Sequence, residues 1–245
     1  MKLRQNNLTS WVVNIITIVA AGGFIGRILW QILMPNVSEI AKTVTVRIDG
    51  ANSGSGVLIE DRGVGASPLE HRYIVLSNWH VVSLLPTPKS FTIRTRDGQK
   101  HLVPTSKIVR VGKLDLAILE FQSRYRYPVA AIGNSDKLTE GETLYVSGWA
   151  DPSPTLPTRT YQFLVGNLSG RIDRQHERDG YTLIYTVNAL PGMSGGPVLD
   201  NRGNLVGING RATVDLRTGT VSSVLGIDIA RYLRASGNLP RHNRK

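Results

Sequence analysis

The chain has 245 residues, enough for one large or two small domains, and its 41% hydrophobic and 19% charged residues are ordinary for a globular protein. It contains no cysteine, which excludes disulfides, thiolate metal sites and a cysteine nucleophile. The formal net charge of +11 is typical of nucleic-acid-binding proteins, but the excess lies at the two ends. Residues 1–35 carry three basic side chains and no acidic ones, and residues 231–245 carry five basic side chains and no acidic ones. This leaves a net charge of +3 for residues 36–230. We therefore expect no nucleic-acid partner.

The first 35 residues are predicted to be a signal anchor that tethers the protein to a membrane. Residues 11–34 are mostly apolar and long enough to span a bilayer. Because Lys2 and Arg4 precede this segment, the positive-inside rule places the body in the periplasm or an equivalent compartment. One alternative is a signal peptide cleaved near the small residues at 19–21, which would give a secreted protein. An amphipathic or buried helix is the other.

From about residue 40 the pattern changes to short strands separated by turns. Asp-Gly and Arg-Gly pairs and a proline-rich loop stand between apolar or alternating runs. The predicted strands lie at residues 41–48, 57–59, 73–76, 91–95, 108–111, 116–121, 143–146, 162–165, 181–187 and 205–208. A closing helix is predicted at 229–235, followed by a basic tail at 236–245. Many short strands with little helical periodicity predict an all-β antiparallel barrel or sandwich.

A serine in a glycine-rich turn is the candidate nucleophile. Ser194 stands in Pro-Gly-Met-Ser-Gly-Gly-Pro, and glycines allow both a tight turn and the close approach of another chain. A nucleophilic serine also needs backbone amides that stabilise an oxyanion, and the amides of Gly192 and Ser194 are the candidates. An ordinary hairpin turn is the alternative, so the assignment depends on finding a base and a carboxylate elsewhere.

His80 and Asp115 are the candidate base and orienting carboxylate. Among five histidines, His80 is the one that follows an apolar strand directly, at the end of residues 73–79. Asp115 opens the apolar run at 116–119 and needs a partner to offset its desolvation. The alternatives are a satisfied core histidine and an aspartate paired with Arg110.

The chain order of histidine, aspartate and serine matches one of the known serine-protease arrangements. The three motifs are Ser-Asn-Trp-His-Val-Val, Asp-Leu-Ala-Ile-Leu and Pro-Gly-Met-Ser-Gly-Gly-Pro. Together they resemble the motifs of trypsin-like (chymotrypsin-fold) serine peptidases, most closely the cysteine-free bacterial HtrA/Deg branch, over about residues 40–232. HtrA proteins usually carry a C-terminal PDZ domain, whereas this sequence ends shortly after the closing helix, so regulation through such a domain is not assumed.

The resemblance implies a fold of two six-stranded antiparallel β-barrels with the site between them. The first barrel would lie near 40–125 and carry the histidine and the aspartate, and the second would lie near 140–228 and carry the serine. The protease domain as a whole would span residues 36–235, including the closing helix.

The resemblance also implies a mechanism. Ser194 would attack the scissile carbonyl, His80 would act as general base and acid, and Asp115 would hold the imidazole ring. The amides of Gly192 and Ser194 would form the oxyanion hole, and no metal or cofactor would be needed. We expect a membrane-tethered serine endopeptidase acting on proteins or peptides, in protein quality control. A catalytically silent module of the same fold that binds extended peptides is the alternative.

Substrate specificity is predicted from the same resemblance. In this family the pocket is walled by residues before the serine and by the strand after it, here Asn188, Ile208, Asn209, Gly210 and Arg211. Asn188 is neutral, so no aspartate marks a trypsin-like preference for lysine or arginine. We expect a small or medium apolar residue at the cleavage site, whereas a preference for acidic residues would implicate Arg211.

Overall fold

The residues that the computed structural model describes are 36–64, 70–83, 88–173, 176–214 and 221–237. The helices are α1 (Val37–Val44), α2 (Trp79–Ser83) and α3 (Ile229–Ala235). The strands are β1 (Thr45–Asp49), β2 (Ser53–Val64), β3 (His71–Ser77), β4 (Ser90–Arg94), β5 (Lys100–Pro104), β6 (Val109–Arg110), β7 (Ala117–Ser123), β8 (Thr143–Ala150), β9 (Thr160–Arg171), β10 (Tyr181–Tyr185), β11 (Pro197–Leu199), β12 (Leu205–Val214) and β13 (Val221–Asp228).

The predicted membrane segment, residues 11–34, lies outside the described residues. So do residues 238–245 of the predicted basic tail. Within the ranges that are described, no helix is long and apolar enough to cross a bilayer.

The first sheet has seven antiparallel strands in the order β5-β4-β1-β2-β3-β7-β6 and is open. The predicted closed six-stranded first barrel is therefore wrong. The last strand, β6, is only two residues long and pairs with β7 alone, so backbone hydrogen bonds do not close the ring. Side chains bridge the gap instead: the His101 ring of β5 stacks on Phe121 of β7 with 4.2 Å between centroids.

The second sheet is a closed six-stranded barrel in the order β10-β13-β12-β11-β8-β9, as predicted. Apolar side chains fill its interior, among them Leu144, Leu183, Val198 and Val224, each at most 1% exposed. The predicted closing helix is present as α3, and the Asp228 side chain caps it by accepting a hydrogen bond from the backbone N–H of Arg231.

The strand predicted at residues 41–48 is wrong in its first half, which is helical. The buried residues of α1 are Val37, Ala41 and Val44, at spacings of four and three that place them on one helical face. Only Val46 and Ile48 keep the period of two that belongs to β1.

A hydrophobic cluster joins the two sheets and both terminal helices. It includes Ala41 of α1, Leu76 of β3, Ile208 of β12 and Ile229 of α3, all at most 1% exposed. Because this cluster also contains Leu116, it holds the exit of β3 and the entry of β7 against β12 of the second sheet. The candidate site lies there.

Candidate active site

The topology brings His80 and Asp115 to the same edge of the first sheet. Strands β3 and β7 are antiparallel neighbours, and Ser77 at the end of β3 pairs with Ala117 at the start of β7. His80 comes three residues after Ser77 and Asp115 two residues before Ala117, so antiparallel pairing places them side by side.

The Asp115 carboxylate binds both the ring and the backbone of His80. The His80 Nδ1 lies 2.7 Å from Asp115 Oδ2, and the His80 backbone N–H donates to Oδ1 at 2.8 Å. Asp115 is 3% exposed, whereas the His80 side chain is 36% exposed. Because Nδ1 is engaged by the carboxylate, Nε2 is the nitrogen left to exchange a proton.

Asp115 is ionised despite its burial. Burial raises the pKa of this carboxyl, but the hydrogen bonds and charge of His80 and the hydrogen bond from the Tyr181 hydroxyl outweigh that effect, so the pKa is lowered. The backbone carbonyl of Asp115 is bound as well, by the Asn78 side chain at 3.0 Å and the Trp79 backbone N–H at 3.1 Å. The aspartate is thus fixed in charge and in position.

Gly195 sets the serine turn directly against the first sheet. Its φ is +87°, and a Cβ there would lie 2.2 Å from the Ser55 carbonyl oxygen and 2.3 Å from Ser77 Oγ. The Ser55 backbone N–H donates to the Ser194 carbonyl oxygen at 2.8 Å. The serine turn therefore lies beside the end of β3, from which His80 follows.

The half-buried Ser194 hydroxyl is bound to the backbone of β12. Its Oγ donates to the Gly210 carbonyl oxygen at 2.9 Å. Within the described residues, the structure has no hydrogen bond between Ser194 and His80. The structure thus brings His80 and Asp115 into direct contact. The hydroxyl of Ser194, the third predicted residue, is bound to the Gly210 carbonyl instead.

The backbone amides of Gly192 and Ser194 donate to no acceptor in the described part of the chain. Gly192 has φ +88°, and a Cβ there would lie 2.6 Å from the Trp149 carbonyl oxygen, so the turn requires glycine. The Gly192 carbonyl accepts a hydrogen bond from Ser55 Oγ at 2.9 Å. This contact fixes the peptide plane between Gly192 and Met193, and two adjacent donors are left for an oxyanion.

Arg159 is a buried cation beside the same turn that sequence reasoning missed. Its side chain is 7% exposed, and its Nη2 lies 3.5 Å from the Gly192 carbonyl oxygen. It forms ion pairs with Asp49 at 3.1 Å and Asp151 at 3.3 Å. It also donates to three backbone carbonyls at 2.8–3.0 Å, those of Ile48, Gly54 and Trp149. The guanidinium thus joins β1, β2 and β8 behind the candidate oxyanion hole.

The predicted specificity residues occupy different environments. Asn188 is exposed, but Ile208 and Asn209 are buried, at 0% and 2% exposure, so neither presents surface to a substrate. Asn209 holds the serine turn, because its Nδ2 donates to the Met193 carbonyl at 3.0 Å. The Arg211 side chain is 45% exposed and forms an ion pair with Asp179 at 2.8 Å.

No group of three or more histidine, aspartate or glutamate side chains is placed to hold a metal ion in the ranges that the structure describes. The groups available for chemistry at this edge are an imidazole, a carboxylate, a hydroxyl and two backbone donors. Such a set can transfer an acyl group without further components.

The sequence and the fold have known relatives. Residues 54–208 match the family "Trypsin-like peptidase domain". The chain is 35% identical over 151 residues to "Probable periplasmic serine endoprotease DegP-like" of Chlamydia trachomatis serovar D, covering 60% of this chain and 28% of that protein. It is 32% identical over 164 residues to "Serine protease Do-like HtrA" of Bacillus subtilis, covering 65% of this chain and 33% of that protein. The chain thus spans about a third or less of these relatives.

A solved structure shares the fold. The "HtrA-type protease AlgWS227A with tripeptide" superposes with a TM-score of 0.64 at 19% identity, covering 85% of this chain and 64% of that one. The predicted resemblance to chymotrypsin-fold peptidases is therefore confirmed in sequence and in fold. With the family match covering more than half of its residues, this chain belongs to the trypsin-like peptidase domain family.

Proposed function

We propose that this protein is a serine endopeptidase that cleaves peptide bonds through an acyl-enzyme, with Ser194 as nucleophile, His80 as general base and acid, and Asp115 as the orienting carboxylate. The observation that carries the proposal is the pair of hydrogen bonds that the Asp115 carboxylate accepts from the ring and the backbone N–H of His80, next to a glycine-bounded serine turn. Family membership supports the same chemistry.

In the proposed reaction, Ser194 Oγ attacks the carbonyl carbon of the scissile peptide bond while His80 Nε2 accepts the hydroxyl proton. The Gly192 and Ser194 amides donate to the developing oxyanion, and each such donor contributes about 3–4 kcal/mol of transition-state stabilisation. The tetrahedral intermediate collapses as His80 protonates the leaving amine. A water molecule, deprotonated by His80, then hydrolyses the ester in the same way.

Attack requires the Ser194 hydroxyl to leave the Gly210 carbonyl and turn toward His80. A neutral hydrogen bond of this kind contributes about 1 kcal/mol, which substrate binding can readily offset. A hydrogen bond that forms only in the substrate complex is common at catalytic sites. The rotation is part of the proposal.

The same hydrogen bond favours a second candidate, a peptide-binding module with no catalytic activity. In that case the Ser194 hydroxyl would stay on the Gly210 carbonyl, where it lies at 2.9 Å. The two candidates differ in one measurable property, the nucleophilicity of Ser194.

Covalent labelling of the full chain with a fluorophosphonate probe separates them. We expect labelling of the parent at Ser194, identified by peptide mass spectrometry, and none of Ser194→Ala. Ser169→Ala is the matched control, because Ser169 is exposed and its hydroxyl likewise donates to a backbone carbonyl, that of Ile184. A folded parent that is not labelled would overturn the peptidase assignment and leave the binding module.

For specificity, we propose cleavage after small or medium apolar residues. Asn188 brings no charge, and the Arg211 guanidinium is already engaged by Asp179 and stacks on Tyr181 with 4.7 Å to the ring centroid. A peptide library should therefore give cleavage after alanine, valine or leucine. Dominant cleavage after aspartate or glutamate would contradict this and implicate Arg211.

We also propose that residues 11–34 anchor the protease domain on the extracytoplasmic side of a membrane, where it would act in protein quality control. The support is the apolar sequence after a basic start, together with the word "periplasmic" in the name of a relative. Fractionation of cells that express the full chain or residues 36–245 tests this. Equal release of both forms into the soluble fraction would overturn the anchor.

A further inference from the structure

Tyr181 reaches from the second barrel to the aspartate of the first sheet. Its hydroxyl donates to Asp115 Oδ2 at 2.7 Å, the same oxygen that lies 2.7 Å from His80 Nδ1. Tyr181 is 2% exposed, and the contact spans 66 positions of the sequence. Burial and the neighbouring carboxylate raise the pKa of Tyr181, so the hydroxyl stays protonated and acts toward Asp115 only as a donor.

The absence of a side chain at Gly210 provides the space for this tyrosine. A Cβ on Gly210 would lie 2.3 Å from both Cε1 and the hydroxyl oxygen of Tyr181. Any other residue at position 210 would displace the ring. Gly210 also supplies the carbonyl that accepts the Ser194 hydroxyl. One glycine thus binds the serine through its backbone and makes room for the tyrosine that binds Asp115.

The tyrosine ring is held from its other face. The Arg211 guanidinium lies 4.7 Å from the ring centroid, and its Nη2 lies 3.7 Å from Asp115 Oδ2. Arg211 is bound in turn by Asp179, whose backbone carbonyl accepts the Asp115 N–H at 2.8 Å. Asp179 adopts a left-handed φ of +57°, the single non-glycine residue to do so in the described ranges. The segment 179–181 thus contacts Asp115 through both backbone and side chain.

We propose that Tyr181 is a positioning residue for the catalytic carboxylate, which it binds from the second barrel in the space left by Gly210. This inference rests on the proposed peptidase function. The charged and titratable groups that face Asp115 are His80, Tyr181 and Arg211. With the tyrosine donor present, the carboxylate keeps the rotamer that binds His80. Without it, Oδ2 loses a charge-assisted hydrogen bond and the carboxylate becomes a stronger base.

The test compares Tyr181→Phe with Tyr73→Phe in the full chain. Tyr73 is a matched control, because it is fully buried in β3 and its hydroxyl is also hydrogen-bonded, to the Tyr125 carbonyl and the Tyr127 N–H. The readouts are the rate of fluorophosphonate labelling as a function of pH and the NMR resonance of the proton between His80 Nδ1 and Asp115.

We expect Tyr181→Phe to lower the labelling rate about tenfold, since a hydrogen bond to a charged group has been lost. Because the His80–Asp115 pair then takes up a proton more readily, the acid limb of the profile should move to higher pH. The NMR resonance should shift as well. Tyr73→Phe should change neither. Gly210→Ala, which displaces the ring and keeps the hydroxyl, should move the acid limb in the same direction.

An unchanged pH midpoint and an unchanged resonance in folded Tyr181→Phe would overturn the inference, as would an equal shift in Tyr73→Phe. If Tyr181 acts only in packing, Tyr181→Phe would lower the melting temperature, but the pH midpoint of labelling of the folded protein would not change. If the parent itself is not labelled, the peptidase proposal fails. The NMR comparison then still decides whether Tyr181 positions the carboxylate.

Discussion

The two halves of the candidate site are held in different ways. In the first sheet, side chains fix one another: Asp115 binds His80 twice and accepts the Tyr181 hydroxyl. In the second barrel, the serine turn is fixed mainly through its backbone, by glycines that no other residue could replace and by hydrogen bonds to its carbonyls.

The difference follows from what each half would do in catalysis. The aspartate and histidine would keep their geometry while a proton moves, so charge-assisted side-chain bonds suit them. The oxyanion hole needs the Gly192 and Ser194 N–H groups free of other partners. The turn is therefore held by its carbonyls, by close packing and by neighbouring N–H groups, such as that of Gly195, which donates to the Asn209 carbonyl at 2.8 Å. Four changes test this contrast.

The largest effect is expected from Gly195→Ala. The new Cβ would lie 2.2 Å from the Ser55 carbonyl oxygen at a φ of +87°, so the whole turn would have to move away from β2. We expect fluorophosphonate labelling to be abolished. Gly141→Ala is the control, since Gly141 has φ +88° with nothing within 4 Å of its Cβ position, and it should cost only the left-handed strain of about 1–2 kcal/mol. Normal labelling of Gly195→Ala would show that close packing does not fix the turn.

Arg159→Met should have the next largest effect. It leaves Asp49 and Asp151 without a buried cationic partner and removes the second donor to the Gly192 carbonyl, which lies 3.5 Å away. We expect a loss of about 3–5 kcal/mol in the free energy of unfolding, measured in urea. Labelling of the remaining folded protein should be slower as well. Arg124→Met, which removes an 80% exposed partner of Glu70, should cost less than about 1 kcal/mol. Similar losses in the two variants would argue against a special role for Arg159.

Ser55→Ala tests the hydrogen bond that orients the Gly192 peptide. The hydroxyl donates to the Gly192 carbonyl and accepts from the Trp149 N–H at 2.8 Å. Its loss removes the acceptor of the Trp149 N–H and leaves the Gly192 carbonyl with the longer contact to Arg159 at 3.5 Å. We expect a loss of about 1–3 kcal/mol in stability and slower labelling with little change in its pH profile. This pattern would contrast with Tyr181→Phe, for which the pH profile should move. A pH shift in Ser55→Ala would remove the distinction between the two halves.

The smallest effect concerns acid stability. Burial raises the pKa of Asp49, Asp97 and Asp115, but the hydrogen bonds to each outweigh it, so all three values are lowered below the ordinary 3.8. Groups with a lowered folded-state pKa contribute stability above about pH 4 that is lost as the pH falls through their folded values. The urea midpoint should therefore decline below pH 4, and less steeply in Asp115→Asn. An equally steep decline in Asp115→Asn and in the parent would mean that Asp115 does not contribute to the loss of stability in acid.

The sequence predicted the parts of this site that depend on local pattern. Apolar runs located most strands, and the antiparallel pairing of β3 with β7 explains why two motifs 35 positions apart meet. The open first sheet was not predicted, because closure depends on whether β5 and β6 pair. The strand predicted at 108–111 contains β6, but an apolar run does not show which strand it pairs with. Strands β5, β11 and β13 were missed as well, and β11 has only three residues.

The residues that support the site were missed for a different reason. Arg159 follows a proline-rich loop, where an arginine is usually a solvated charge, and its acceptors are mostly backbone carbonyls that no motif records. Tyr181 is an ordinary aromatic residue of a strand, and its partner is supplied by the other sheet. The roles of His80, Asp115 and Ser194 stay predictions, which the labelling experiment tests first at Ser194. The domain bounds 36–235 stay a prediction as well.

The open first sheet has a consequence for behaviour at high protein concentration. A closed barrel has no free edge, whereas β5 and β6 end the first sheet and could template pairing between molecules. Both strands also present an exposed aliphatic side chain, Leu102 at 71% and Val109 at 58%. Self-association is opposed by the chemistry of the same strands, since Lys100 and Pro104 bound β5 and Arg110 ends β6. Cationic and proline residues at these positions would keep the open edges of the first sheet from pairing with those of another molecule.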